Sequence, residues 1–184
     1  MTELASASQL REAYLRWALV CVPVVLTLGF LSGMAAGSGP DNPWFASLAK
    51  PSIYPPPATF GIVWSVLYVL MGLALAIVVS ARGAVGRGAA LGAFAVQLAL
   101  NLAWSPLFFA MHHISLALGL LGLLVIALIA TIVLFRKVPA LAAWLLLPYL
   151  AWILFAGVLN WQFLVLNPDA DGQEISGAVT RIEL

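Results

Sequence analysis

Charge is what this chain has least of. Only 8% of its 184 residues are Asp, Glu, Lys or Arg, while 64% are hydrophobic and the mean hydropathy is +1.07. A soluble domain carries roughly a quarter charged residues. A surface this poor in charge cannot face water, so the composition points to an all-α, integral membrane bundle. The net charge of +1 leaves no concentrated basic face and argues against nucleic acid as a partner. Cysteine is nearly missing: Cys21 stands alone, so no intrachain disulfide can form. No Cys/His cluster has metal-ligand spacing, and the adjacent His112 and His113 would point about 100° apart on a helix. Nucleophile–base pairs and paired carboxylates are also lacking inside the apolar segments, which argues against ordinary acid–base or metal catalysis. Without an ionisable side chain in any span, an ion-coupled carrier is disfavoured too.

The charge-free intervals set the topology. Residues 17–40, 51–81, 88–135 and 138–168 contain no Asp, Glu, Lys or Arg. A spanning helix needs about 20 residues. Three intervals therefore hold one span each, and 88–135 holds two with a break at His112–His113. The expectation is five transmembrane helices, at 17–37, 58–80, 88–110, 115–135 and 140–166. A polar tail (1–16) precedes them and a disordered acidic tail (167–184) follows. Arg11, Arg16, Arg82, Arg87, Arg136 and Lys137 then share one side, against Lys50 and Arg181 on the other. In a bacterial cell membrane the positive-inside rule puts the N-terminus in the cytoplasm.

What is abundant is proline and aromatic sequence in particular places. Loop 38–57 contains WFASLAKPSIYPPP from Trp44 to Pro57, with four prolines (51, 55, 56 and 57) that cannot continue a helix. Alone, the stretch reads equally as a lid over the bundle or as a connector with interfacial anchors. Its Lys50 is the only basic residue between Arg16 and Arg82. Gly29, Gly33 and Gly37 repeat every four residues, a spacing that lets a neighbouring helix approach closely.

In the third span, Gln97, Asn101, Trp104 and Ser105 fall at i, i+4, i+7 and i+8, one stripe in a helix of Ala and Leu. Amides are costly in hydrocarbon, so the stripe should face inward. It could serve interhelical hydrogen bonding or a ligand, and spacing alone leaves both open. Pro106 should bend this helix near its end. The fourth span, almost wholly aliphatic, reads as lipid-facing scaffold. The fifth carries Trp144, Pro148, Tyr149, Trp152, Phe155, Asn160 and Trp161. An aromatic belt at the membrane boundary accounts for Trp44, Trp144 and Trp161, but less well for Trp64, Trp104 and Trp152.

Four segments carry a resemblance: WFASLAKP with the following YPP, FGIVWSVLYVLMG, QLALNLAWSPLFFA and WLLLPYLAWILFAGVLNW. In this order and spacing the chain resembles the TspO/MBR family, the tryptophan-rich sensory and translocator proteins that include the animal peripheral-type benzodiazepine receptors. The resemblance implies a five-helix bundle, often a homodimer, with a pocket beneath the first long loop. It implies porphyrins (protoporphyrin IX or haem) as ligands rather than as a bound cofactor. In animal members, sterols and isoquinoline- or benzodiazepine-type ligands are added. The family's pocket tryptophans fall on Trp64 and Trp152, and its pocket asparagine on Asn101 beside Trp104. Some bacterial relatives degrade protoporphyrin in light, which would give Trp64 and Trp152 a redox role. Two positions depart from the family: Ile53 stands where many members have Trp, and Trp161 follows Leu159-Asn160 where the animal cholesterol motif has Tyr and then Arg.

The candidate ligand-binding set is therefore Trp64, Tyr68, Gln97, Asn101, Trp104, Tyr149, Trp152 and Phe155, with Lys50 and Tyr54 from the loop. Indole and phenol rings offer stacking surface to a flat π-system, amides can donate to its polar edge, and Lys50 could meet a carboxylate. The leading expectation is a porphyrin-binding sensor or translocator. The alternatives are a light-dependent porphyrin-degrading protein and a sterol or lipid carrier.

Overall fold

The computed structural model describes residues 7–173. Five helices are long and apolar enough to cross a membrane: Arg11–Ala35, Pro57–Ser80, Arg87–Ala110, Ile114–Lys137 and Ala140–Leu166. The first belongs to a longer helix, α1 (Ala7–Ala35), so helix already occupies most of what composition suggested as a polar tail. Residues 1–6 and 174–184, the outer parts of the two expected tails, lie outside the described residues.

Local chemistry explains the boundaries. The loop is not wholly irregular: α2 (Pro43–Ser47) is a short helix inside it, capped where the Asn42 side-chain oxygen accepts from the Phe45 amide at 2.9 Å. The prolines that forbid helix come after it. Then α3 (Pro57–Ser80) opens on Pro57, a position whose amide would go unused anyway. The third span runs as α4 (Arg87–Ser105) and then changes pitch. Pro106 starts a π-helical turn to Ala110, closed by the Met111 amide on the Pro106 carbonyl at 2.9 Å. This is the bend expected of Pro106. His112, with φ +58°, turns the chain into α5 (Ile114–Lys137). The last span is α6 (Ala140–Trp144), a break at Leu145–Leu146, and α7 (Leu147–Leu166) with Pro148 in its first turn.

Packing pairs α1 with α3, α4 with α5, and α5 with α6 and α7. The α1–α3 crossing depends on glycine. A Cβ on Gly72 would lie 2.5 Å from the Val22 Cα, and one on Gly29 would lie 2.2 Å from the Tyr68 ring. Gly29 thus serves packing within the bundle. Outward faces carry exposed aliphatics such as Leu19, Ile62 and Ile126, an arrangement suited to acyl chains. The protein is an integral, multi-pass membrane protein. Because α5 also turns Leu121, Leu124, Leu128, Thr131 and Phe135 into the core, it is not merely a lipid-facing scaffold.

The segment after α7 is ordered through residue 173, against the expectation of a disordered tail from 167. A 3-10 turn (Pro168–Ala170) returns the chain to the loop end of the bundle. The Asn167 side chain clasps the lid: its oxygen accepts from the Ala49 amide at 2.7 Å and its Nδ2 donates to the Ala49 carbonyl at 3.0 Å. Asp171 accepts from the Ser115 amide at 3.0 Å, and Gly172 donates to the His112 carbonyl at 2.8 Å. His112 itself stacks on Trp44 with centroids 4.5 Å apart. Partial burial pushes the Asp171 carboxyl up, but hydrogen bonds from Ser115 and Ile114 and the nearby His113 imidazole outweigh it and hold Asp171 below its ordinary value. A depressed folded-state value stabilises the fold above the unfolded value, and that contribution disappears as pH falls through the folded one. Thermal stability should therefore fall on acidification below about pH 4. Asp171→Asn should flatten that part of the profile, and an unchanged acid slope would show that the clasp does not depend on this carboxylate.

Candidate functional site

Beneath the lid lies a cavity of about 390 Å³ to which all five spans contribute. That volume falls within the range of about 300–1,000 Å³ usual for ligand pockets. Its walls are rich in aromatic rings. Trp64 and Phe60 come from α3, Trp104 from α4, Phe108 and Phe109 from the π-helical turn, and Trp152 and Phe163 from α7. Phe45 and Tyr54 close it from the lid, while Gly29 and Gly33 of α1 leave room on the fifth side. The rings support one another. Trp64 stacks on Tyr68 at 5.1 Å, and Trp104 on Phe108 at 5.1 Å. Phe60 meets the Trp152 ring edge-on at 5.8 Å.

Polar atoms enter at few points, and those of Tyr68, Asn101, Trp104 and Asn160 tie helices together. The Tyr68 hydroxyl donates to the Asn101 side-chain oxygen at 3.1 Å, joining α3 to α4. On its other side the Asn101 amide faces the buried Tyr149 hydroxyl, so Asn101 joins that hydroxyl to the cavity it lines. The Trp104 indole donates to the Asn160 oxygen at 3.2 Å, and Asn160 Nδ2 donates to the Ile114 carbonyl at 2.9 Å, tying α4, α7 and α5 together. Among the described residues no charged side chain lines the cavity.

Six of the ten residues named from sequence share this lining: Trp64, Tyr68, Asn101, Trp104, Trp152 and Tyr54. The other four stand outside it. Tyr149 is fully buried behind Trp64, edge-on at 6.2 Å, and Phe155 backs Trp152 at 5.3 Å. Lys50 is turned into the lid itself. Its ammonium donates to the Phe45 and Leu48 carbonyls and sits 4.1 Å from the Phe45 ring centroid. Burial there pulls its pKa below the ordinary lysine value. Gln97 is fully buried in the core, and among the described residues neither of its side-chain polar atoms has a partner. The polar stripe on α4 thus divides: Asn101, Trp104 and Ser105 reach the cavity and Gln97 does not. Unpaired buried amides lower stability by about 1 kcal/mol or more. Gln97→Met should therefore raise the thermal midpoint by a few degrees and leave ligand affinity unchanged. A fall in the midpoint would mean that Gln97 is paired in the membrane.

Sequence reasoning missed the roof. Phe60, Phe108, Phe109 and Phe163 all line the cavity, but phenylalanine in an apolar span carries no mark separating it from lipid-facing residues, and Phe45 of the loop read as an interfacial anchor. Trp44, assigned above to an aromatic belt, is only 6% exposed and sits between Phe108 and His112. Trp144 and Trp161 are exposed at 66% and 54%, as belt residues should be.

Comparison with known proteins agrees with this architecture. A profile of the TspO/MBR family matches residues 20–166. The tryptophan-rich protein TspO of Chlorobaculum tepidum is 39% identical over 152 residues, which cover 81% of this chain and 94% of that protein. Protein CrtK of Rhodobacter capsulatus is 40% identical, over 68% of this chain and 79% of its own length. The human translocator protein is 41% identical over 73% of this chain and 81% of its length. Aromatic walls, inward amides and a lid over five spans are thus found in a chain that belongs to the TspO/MBR family of membrane sensory and translocator proteins.

Proposed function

We propose that this protein binds a tetrapyrrole, protoporphyrin IX or haem, in the cavity under the lid and acts as a sensor or translocator for it, with its N-terminus in the cytoplasm. One observation carries the reading: indole and phenyl rings from α3, α4, the π-helical turn, α7 and the lid, joined by Phe30 of α1, surround one hollow that is uncharged among the described residues and has the Asn101 amide within it. A flat macrocycle gains stacking area against Trp64 and Trp152, and Asn101 Nδ2 can donate to a polar edge. With no cation in the lining, the carboxylates of such a ligand belong at the rim, near the exposed Ser38 and Pro40. Six of the eight basic residues lie on the side opposite the lid, which supports a cytoplasmic N-terminus.

The test is equilibrium titration of the purified protein with protoporphyrin IX, haem, a sterol and an isoquinoline carboxamide, read by tryptophan fluorescence in the dark. Saturable quenching by the tetrapyrroles, unaffected by excess sterol, is the expected result. Saturable sterol binding that expels protoporphyrin would overturn it in favour of a sterol carrier. The same mixture under illumination distinguishes binding from breakdown, because only breakdown removes the porphyrin absorption over time.

A further inference from the structure

At the end of the bundle opposite the lid, a second cavity of about 570 Å³ opens between the start of α1 and the end of α3. Gln9, Ala13, Arg16, Trp17 and Val20 line it from α1, and Ser80, Ala81 and Arg82 from the other side. We infer that this cavity is a binding site for the headgroup of an anionic glycerophospholipid in the leaflet nearest the N-terminus.

Three observations carry the assignment. First, the two guanidiniums are uncommitted. Arg16 makes one long hydrogen bond, from Nε to the Glu12 carbonyl at 3.4 Å, and among the described residues its terminal nitrogens have no acceptor. Arg82 has neither a hydrogen bond nor an ion pair from its side chain among the described residues. The adjacent Arg87 behaves differently: it caps α3 by donating to the Val78 and Val79 carbonyls at 3.1 and 2.9 Å. The end of α3 is therefore already satisfied without Arg82. Two like charges at one cavity favour an anion that both can hold, and a planar guanidinium matches phosphate oxygens two at a time.

Second, between Val20 and Arg16 the lining is ordered by depth as a phospholipid is, with the small Ala13 and the polar Gln9 following toward the start of α1. Val20, Trp17 and Arg16 pass from apolar to amphipathic to charged over four residues, a rise of about 6 Å. The headgroup region of one leaflet is also about 6 Å thick. An acyl chain against Val20, the glycerol ester region against the Trp17 indole and the phosphate at the arginines fit that sequence. Third, helices with exposed aliphatic faces flank the cavity, including Leu19 at 77% exposure, so a lipid held by its headgroup lays its chains on a surface built for them.

Native mass spectrometry of the full chain in detergent, with phosphatidylglycerol and phosphatidylcholine supplied in equal amounts, tests the site. Phosphatidylglycerol should be retained preferentially. Arg16→Gln with Arg82→Gln should reduce that preference about 25-fold, at about five-fold per arginine. Arg136→Gln with Lys137→Gln removes the same charge on the same side without touching the cavity and should leave the preference unchanged. Millimolar inorganic phosphate should not displace the lipid. Equal retention of the two lipids, equal losses in the two double variants, or displacement by phosphate would each overturn the assignment. Thermal unfolding of the arginine variant in phosphatidylcholine, expected to match the parent, separates lost binding from lost folding.

Discussion

Replacing Trp64 and Trp152 together with alanine should weaken protoporphyrin IX binding about 100-fold or more. The two indoles line the same cavity from different helices, Trp64 on α3 and Trp152 on α7. Each is held by a second ring: Tyr68 stacks on Trp64, and Phe155 lies tilted against Trp152. Rings fixed in this way are ordered before the ligand arrives, so little conformational entropy remains to be lost on binding. Truncating a large, desolvated aromatic anchor typically removes 2 kcal/mol or more, and two such losses, even short of additive, exceed about 100-fold. Trp64→Phe or Trp152→Phe alone retains a ring and should cost only about 3–10-fold. Trp144→Phe provides the control, because Trp144 is 66% exposed and remote from the lining, and its affinity should match the parent. Helical circular dichroism establishes that the double variant remains folded. If it does and still binds as the parent does, the ligand sits elsewhere.

Gly72→Ala should be the most damaging single methyl in the chain. The added Cβ would lie 2.5 Å from the Cα and 3.0 Å from the amide nitrogen of Val22. Backbone cannot rotate out of the way as a side chain can, so α1 must retreat from α3 along their shared crossing. Overpacking of this kind costs about 1–3 kcal/mol, and the upper part of that range is expected where backbone is the obstacle. The retreat would also loosen the wall that α1 gives the cavity through Gly29 and Gly33. Both the thermal midpoint in detergent and the tetrapyrrole affinity should fall. Gly119→Ala on α5 is the matched control. Its added Cβ meets nothing within 4 Å, and helix propensity favours alanine by about 1 kcal/mol, so stability should hold or rise. Equal midpoints for the two variants would mean that the α1–α3 crossing is not glycine-dependent.

How much of this was legible beforehand follows from what each signal measures. Spans are legible because lipid tolerates charge so poorly that uncharged intervals mark them, and Arg82, Arg87, Arg136 and Lys137 bracket them as punctuation. Inward amides are legible for the same reason, which is why Asn101 could be placed. Gln97 shows the limit of that logic: an amide must leave the lipid, but spacing does not say whether it arrives at a cavity or in sealed core. Aromatic side chains gave a mixed result. Trp64, Trp104 and Trp152 stood out because indoles inside a span need a reason, whereas Phe60, Phe108 and Phe163 needed none and so carried no signal. Lys50 failed differently. A lone cation in a lid invites a counter-ion, yet the nearest acceptors were the carbonyls of Phe45 and Leu48 at the end of α2. Gly72 carried no sequence mark either, since the regular spacing of Gly29, Gly33 and Gly37 drew the eye to the partner helix.

The most direct measurement is a structure of the protein with protoporphyrin IX bound. The macrocycle should lie in the hollow below Tyr54, its faces against Trp64 and Trp152 and its carboxylates toward Ser38 and Pro40. A macrocycle found instead on the outer surface, against Trp144 or Trp161 with the hollow unfilled, would contradict the account.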